Sequence, residues 1–396
     1  MARSLFLLAL ASLALAQNTA TAPSDVYAAQ ATAKSSSPVS FVPGLAFDRF
    51  ITIWLENTDF EKAKGDPNLA ALAKQGVALS NYFGVTHPSE PNYMASVAGD
   101  NFGNDNDAFN KLPANVSSIV DLLEARGISW GEYQEDMPYA GFGGYAWPNQ
   151  KTGANDYVYK HSPLMTLEAN SKSARRLSQM KNLTGFYDDL AAHKLPQWSF
   201  ITPNMTSDGH DTSVTTAGTW TSNFLTPLLK NEYFMRRTLI LVTFDENHTY
   251  SAQNRVFSIL LGGAVPPSLH GTTDSTFYNH YSELSSVQAN WHLDTLGRWD
   301  VGANVFDVVA RHTLDRPRSW DAVTGATPTV FLNQSYPGYL NSVNSSVPIP
   351  KPNIHLVRNT RIVSPLVQLQ WARSDAPSIY KDTVEIPDAM HIPAGY

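Results

Sequence analysis

The sequence predicts an α/β fold: a mostly parallel central sheet with helices on both faces, and a loop-rich C-terminal extension. Strand-like apolar runs alternate with helix-like ones from about residue 48 to about residue 300, the order that βα units produce. The strongest run, residues 238–244 (Thr-Leu-Ile-Leu-Val-Thr-Phe), lacks the polar alternation of a half-exposed strand, as expected of one covered on both faces. The chain has 396 residues, 43% of them hydrophobic, and no linker that would divide it. That is enough apolar material for one sizeable core.

The elements follow in order. Residues 50–55 form a buried strand, and residues 68–74 a helix that stops near Gly76. Residues 77–83 are the next strand, and the segment 92–97 can be helical. Residues 117–126 are helical with Gly127 as the stop, and the strand 128–133 follows, because a glycine just past the last periodic residue ends a helix. Residues 185–193 make a helix before the strand 197–201, and 256–261 is the strand after 238–244. From about 313 the pattern dissolves into Pro, Asn, Ser and Thr, with short strand-like pieces such as 355–358. The expected division is a core domain over 46–312 and an extension over 313–396 packed on it.

Residues 1–16 read as a signal peptide: Arg3, an apolar run over 5–13, and small residues at Ala14 and Ala16 before Gln17. That run is too short to span a bilayer, and no later segment has about 18 consecutive apolar residues. Residues 17–45, rich in Ala, Ser, Thr and Pro, read as a flexible N-terminal lead. Asn-x-Ser/Thr sequons stand at Asn115, Asn182, Asn204, Asn247, Asn333 and Asn344. Behind a signal peptide they predict a secreted, extracellular protein carrying N-glycans.

Lys and Arg number 28 against 35 Asp and Glu, a formal charge of −7, and no basic block occurs. This argues against nucleic acid or an anionic membrane as partner. There is no Cys, so disulfides, thiolate nucleophiles and Cys-ligated zinc are all excluded. The chemistry must use oxygen and nitrogen.

In an open α/β sheet, functional groups gather beyond the carboxyl ends of the strands. The first strand runs into Glu56-Asn57, the second into residues 86–93, and the strand 238–244 into Asp245-Glu246-Asn247-His248. Oxygen ligands from separate strand ends suit a hard divalent cation. Ser89 precedes the segment 92–97, where helix N–H groups could cradle a phosphate, or where it could simply cap the helix. Its hydroxyl is a weak nucleophile that metal coordination can activate. Gly127-Ile-Ser129-Trp-Gly131 matches G-x-S-x-G, but with a helix before and a strand after, the reverse of a nucleophile elbow. Ser129 is therefore rejected. Among the 11 His, His210 stands beside Asp211 in the polar loop after the strand 197–201, His161 lies in Tyr159-Lys160-His161-Ser162-Pro163, and His280 stands at the start of a predicted helix. Each could bind phosphate oxygens or donate a proton, and the sequence leaves the general acid open.

Glu56-Asn57, residues 86–93 (THPSEPNY), residues 203–211 (PNMTSDGHD) and residues 244–247 (FDEN), in this order, resemble the phosphoesterase family. That family holds acid phosphatases and phosphatidylcholine-type phospholipases C and is related to the alkaline-phosphatase superfamily. Within it the chain most resembles the secreted fungal acid phosphatases repressed by phosphate. The resemblance implies an alkaline-phosphatase-like sheet over the catalytic domain and a nucleophile at Ser89. It implies a metal site of Glu56, Asn57, Ser89, Asp245 and Glu246, with His161, His210 and His280 around the phosphate. Asn92 and Asp211 are expected on the substrate side. The wider superfamily commonly builds two-metal sites with His ligands, whereas the set here suffices for one divalent ion. A glycan on Asn247 would crowd the substrate, so that sequon is expected to be unmodified. The expected activity is hydrolysis of small phosphate monoesters through a phosphoserine. The alternatives are a phospholipase C-type phosphodiesterase on the same scaffold, or a non-catalytic secreted glycoprotein.

Overall fold

The computed structural model describes residues 19–343 and 346–381; the predicted signal peptide and Asn344 lie outside them. In chain order the strands of the central sheet are β1 (Arg49–Leu55), β2 (Val77–Phe83), β3 (Trp130–Gln134), β4 (Met180–Asn182), β5 (Trp198–Thr202), β6 (Thr238–Phe244), β7 (Arg255–Leu261), β8 (Thr272–Asp274) and β9 (Tyr278–Asn279). Across the sheet they run β8-β2-β7-β6-β1-β5-β3-β4, with β9 also paired to β2. Only β7 is antiparallel to its neighbours; every other pair in this sheet is parallel. The carboxyl ends of β1, β2, β5 and β6 therefore share one edge. β1 lies between β5 and β6, in register with β6 from Arg49↔Thr238 to Leu55↔Phe244.

All seven residues of β6 are buried, as are residues 50–55 of β1. Because successive side chains point to opposite faces, such strands must be covered on both. Two helices that bury every residue, Ser89–Ala98 and Tyr281–Trp291, pack against each other. Elsewhere Pro67–Ala73 lies against Val214–Leu228. Ser129 sits immediately before β3, its backbone N–H donating to Ser40 Oγ at 2.7 Å, far from any strand-to-helix elbow.

Part of the N-terminal lead is ordered on the domain. Pro23–Gln30 forms a helix whose Val26 and Ala29 are buried with Met137, Phe142, Trp147 and Tyr157. A short apolar-poor segment cannot build its own core, so its few apolar side chains borrow this one. The extension carries a short hairpin, Val357–Arg358 with Arg361–Ile362, and a helix Pro365–Trp371.

Asp315 ties the extension together. Its Oδ1 accepts from Arg358 Nε and Arg361 Nη2, both at 2.9 Å, and the Asp315 and Arg361 side chains are 1% and 2% exposed. Burial alone would raise the Asp315 pKa, but Arg361 and Arg358 outweigh it and hold it below the ordinary value. The ionised pair thus stabilises above the unfolded pKa of ~3.9 and loses that contribution as pH falls through the lower folded value. Asp315→Asn is expected to cost roughly 3–5 kcal/mol at pH 6, because two arginines lose their carboxylate. Urea denaturation of the two proteins measures it, and the gap should narrow as pH falls below ~3.9.

Candidate active site

Glu56 follows β1 directly, and its carboxylate is fully buried. Oε2 accepts from the Ser89 hydroxyl at 3.2 Å, and Oε1 from Tyr93 OH at 2.5 Å. His161 Nε2 stands 3.1 Å from the same Oε1, and its ring stacks on Tyr93 at 5.0 Å. Ser89 is the first residue of the Ser89–Ala98 helix, one turn before Tyr93. One helix therefore delivers both hydroxyls to Glu56, with its N-terminus directed at the site, where the macrodipole favours anions.

Asp245 extends β6, and its backbone N–H donates to Leu55 O at 3.1 Å, which sets it beside Glu56. Both Asp245 carboxylate oxygens are buried without a hydrogen-bond partner. Burial raises its pKa well above the ordinary value, Glu56 and Glu246 add to the shift, and the nearby Ser89 hydroxyl opposes it. Glu246, next in the chain, differs from Asp245 in having partners on both oxygens. Its Oε1 accepts from Asn57 Nδ2 at 2.9 Å and Tyr250 OH at 3.2 Å; its Oε2 lies 2.8 Å from His87 Nδ1 and 3.5 Å from Asn92 Nδ2.

Besides Tyr93, three residues with no sequence-assigned role belong to this cluster. Asp208, buried, accepts from the His210 backbone at 2.8 Å through Oδ1, and its Oδ2 lies 3.5 Å from His161 Nδ1 without an aligned bond. Ligand atoms of Glu56, His161 and Asp208 all lie within 4.8 Å of one another, so this group could hold a metal. Burial raises the Asp208 pKa well above normal, and Glu56 adds to it. Lys160 Nζ sits 3.0 Å from Asp107 Oδ2 and 3.4 Å from His210 Nε2. Burial disfavours its charge, but Glu56 and Asp107 prevail and raise its pKa. His87, its Nε2 unpartnered, is pushed down to about 4 by burial. Asp208 and His87 lie in the two segments that carry His210 and Ser89, so the motif was in view although these members were not.

The remaining predicted residues fall into two groups. At the rim, His210 pairs with Asp211 Oδ1 at 2.7 Å, while Asp211 Oδ2 accepts from Asn155 at 2.8 Å. Behind the site, both nitrogens of His280 are engaged: Nε2 lies 2.5 Å from the Asp245 carbonyl and Nδ1 3.3 Å from Tyr82 OH. Burial pushes its pKa down to about 3. Asn92 staples the 85–88 loop, accepting from Val85 N at 2.8 Å and donating to Thr86 O at 2.8 Å. Asn247 is 2% exposed and its Nδ2 donates to Thr249 O at 2.8 Å.

Carboxylates, a buried hydroxyl and imidazoles converge beyond the carboxyl ends of a mostly parallel sheet, an arrangement whose chemistry suits hydrolysis. The chain belongs to the Phosphoesterase family, which it matches over residues 59–294, and it is a hydrolase acting on ester bonds. It is 55% identical over 340 residues to the phosphate-repressible acid phosphatase of Penicillium chrysogenum, covering 85% of this chain and 81% of that protein. It is 53% identical to an acid phosphatase of Aspergillus fumigatus, over 81% of this chain and 70% of that one. A phosphatidylinositol-3-phosphatase of Mycobacterium tuberculosis is 28% identical over 59% of this chain and 72% of its own. Among solved structures, an alkaline phosphatase superfamily protein from Vibrio parahaemolyticus aligns over 67% of this chain and 73% of its own. Its identity is 12% and its TM-score 0.41, a likeness that carries no argument about the site.

Proposed function

We propose that this chain is a secreted acid phosphatase that hydrolyses small phosphate monoesters, with Ser89 as nucleophile and residues 46–312 as the catalytic domain. The observation that carries the reading is the buried Ser89 hydroxyl, 3.2 Å from Glu56 Oε2 at the N-terminus of a wholly buried helix. The acid phosphatase names of relatives with more than half of their aligned residues identical support it.

The residues fit a cation. Buried carboxylate oxygens with no donor, as on Asp245 and Asp208, are costly unless a positive charge meets them. One divalent ion held by Glu56, Asn57, Ser89, Asp245 and Glu246 would lower the hydroxyl pKa and offset phosphoryl charge. Ser89 Oγ attacks phosphorus in line, and its proton passes to Glu56 Oε2. As the Oγ–P bond forms, the ester P–O bond breaks and its electron pair leaves with the alcohol oxygen, which takes a proton from His210. Asp211 orients that imidazole through the contact at 2.7 Å. Water then attacks the phosphoserine from the opposite side, giving its proton to His210, and Ser89 recovers its proton from Glu56. His280 holds the Asp245 backbone in place instead of meeting substrate.

Lys160 gives an incoming phosphate a permanent positive charge at a rim otherwise lined by Asp107 and Asp211. Lys160→Ala is expected to lower kcat/KM roughly 10- to 100-fold, mostly through KM, as loss of a ~1.5–3 kcal/mol bond to a charged group would. Steady-state kinetics on p-nitrophenyl phosphate measure it.

Comparing p-nitrophenyl phosphate with its phosphorylcholine diester tests the substrate class. Faster hydrolysis of the monoester is expected, whereas preference for the diester would overturn the reading. Among the described residues no helix is long and apolar enough to cross a membrane.

A further inference from the structure

A pocket opens beyond the carboxyl ends of β3 and β4, with a volume of about 360 Å³. Glu135, Asp136, Asn182, Thr184, Tyr187 and Trp220 line it. Its floor is an aromatic platform: Trp220 stacks on Phe224 at 5.0 Å and 12°, and Tyr187 meets Phe224 at 6.1 Å. Trp220 Nε1 donates to Glu135 Oε1 at 3.1 Å, which fixes the plane of the indole. Flat aromatic faces beside carboxylate acceptors match a pyranose, which is apolar on its C–H faces and ringed by hydroxyl donors.

Two of the lining residues, Asn182 and Thr184, are the ends of one glycosylation sequon. Asn182 caps the Leu183–Ala191 helix through Oδ1, which accepts from Gly185 N at 3.0 Å. A cap needs only the oxygen. The Asn182 Nδ2 makes no hydrogen bond among the described residues, so capping and modification use different atoms. The neighbouring sequon differs: Asn204 Nδ2 donates to Asp136 Oδ2 at 2.6 Å, and its Oδ1 accepts from Thr206 and Ser207 N–H groups. Its amide is committed to the wall of this same pocket.

We infer that this pocket is the seat of the chain's own N-glycan: the first N-acetylglucosamine, attached at Asn182, folds back onto the Trp220 platform. Attachment joins Asn182 Nδ2 to the sugar C1, replacing the C1–O bond to a lipid-linked diphosphate. That diphosphate leaves with the electron pair, and the amide loses one proton. Once tethered, the sugar sits at millimolar or higher effective concentration over the aromatics, so a weak stacking contact is enough to hold it. The inference rests on the secretory reading above, because only a chain entering that route meets the donor.

The test uses the full chain secreted from a yeast host. Site occupancy is mapped by mass spectrometry, and native glycan release by an endoglycosidase is timed at Asn182 and at exposed Asn115. Occupancy at Asn182, release about tenfold slower than at Asn115, and near-equal rates in Trp220→Ala are expected; tenfold corresponds to ~1.4 kcal/mol of seating. Tyr187→Ser, on a half-exposed ring, should accelerate release in the same direction should Trp220→Ala fold poorly. Occupancy at Asn115 with none at Asn182, or equal release from both in the wild type, overturns the seat alone. Absence of glycan at every sequon of the secreted chain also overturns the seat, whereas failure of the chain to reach the medium on its own residues 1–16 overturns the secretory reading instead.

Discussion

Replacing Ser89 by Ala is expected to lower kcat on p-nitrophenyl phosphate by a factor on the order of 10⁴ or more, the scale seen when a covalent nucleophile is removed. The fold should barely notice. Ser89 Oγ makes one hydrogen bond, to Glu56 Oε2, while that carboxylate keeps Tyr93 OH on its other oxygen. The Cβ remains, so no cavity larger than a hydroxyl opens, and the cost should stay near ~1 kcal/mol. Circular dichroism and a urea midpoint check this, so that lost activity is not confused with lost structure. A covalent readout accompanies the rate. Quenching the wild type in acid during turnover of ³²P-labelled substrate should leave label on the peptide containing Ser89, and the variant should leave none. A folded Ser89→Ala protein retaining more than about 1% of activity, well above the residual expected from binding groups alone, would falsify the nucleophile assignment.

The sheet was readable because its strands are buried on both faces. Residues 238–244 have no solvent side to interrupt them with polar groups, and the run coincides with β6 residue for residue. Residues 77–83 coincide likewise with β2. The acidic pair that follows β6 stands out for the same reason. The longest helix among the described residues was much less legible. Val214–Leu228 is rich in Thr and contains Pro227, a composition that reads as loop. What makes it a helix is tertiary: Ala217, Thr221, Phe224 and Leu228 share one buried stripe at helical spacing, and Ser213 caps the start. The N-terminal lead carries a similar lesson, since Pro23–Gln30 is helical only where Val26 and Ala29 find a surface supplied by residues 137–157.

Within the site, legibility followed the strand ends. Glu56, Ser89 and Asp245 hang from β1, the loop after β2, and β6, so the rule that functional groups gather beyond the carboxyl ends of the strands was enough to group them. Lys160 and His161 come from a short 3₁₀ turn, Tyr159–His161, and no periodicity says that this turn lies against Glu56. Tyr93 was hidden differently. It sits in a quoted segment, but an aromatic on a buried helix reads as core until its hydroxyl is seen at 2.5 Å from a carboxylate. His280 shows the limit of residue type as a guide: packed on Trp54 at 4.3 Å with both nitrogens engaged, it positions a backbone carbonyl.

Removing divalent cations is expected to make the protein's stability fall as pH rises, the reverse of the usual behaviour of paired carboxylates. Glu56, Asp208, Asp245 and Glu246 all have raised pKa values, because burial disfavours their charge; Glu56 further raises each of the other three. Unfolded, these groups titrate near ~4. Between that value and the raised folded values the native state holds more protons than the unfolded one, so stability declines across the window. Towards pH 4 the cation-free native state can meet this crowding by keeping protons; as pH rises it must give them up and hold like charges side by side, without water. The urea midpoint of the cation-free protein is therefore expected to be lower at pH 7 than at pH 4. The measurement is a urea midpoint series from pH 4 to 7 on protein dialysed against chelator and moved to metal-free buffers, then repeated with a divalent ion restored. Restoration should flatten the series, since a bound cation meets the charge instead of a proton. Asp245→Asn separates this cause from any other. Removing one charge from the cluster should recover part of the pH 7 loss in the cation-free protein, yet abolish both the added ion's stabilisation and the activity. A cation-free protein as stable at pH 7 as at pH 4, or an Asp245→Asn variant that still gains stability from the ion, would mean that the bare oxygens beside Ser89 are not where positive charge binds.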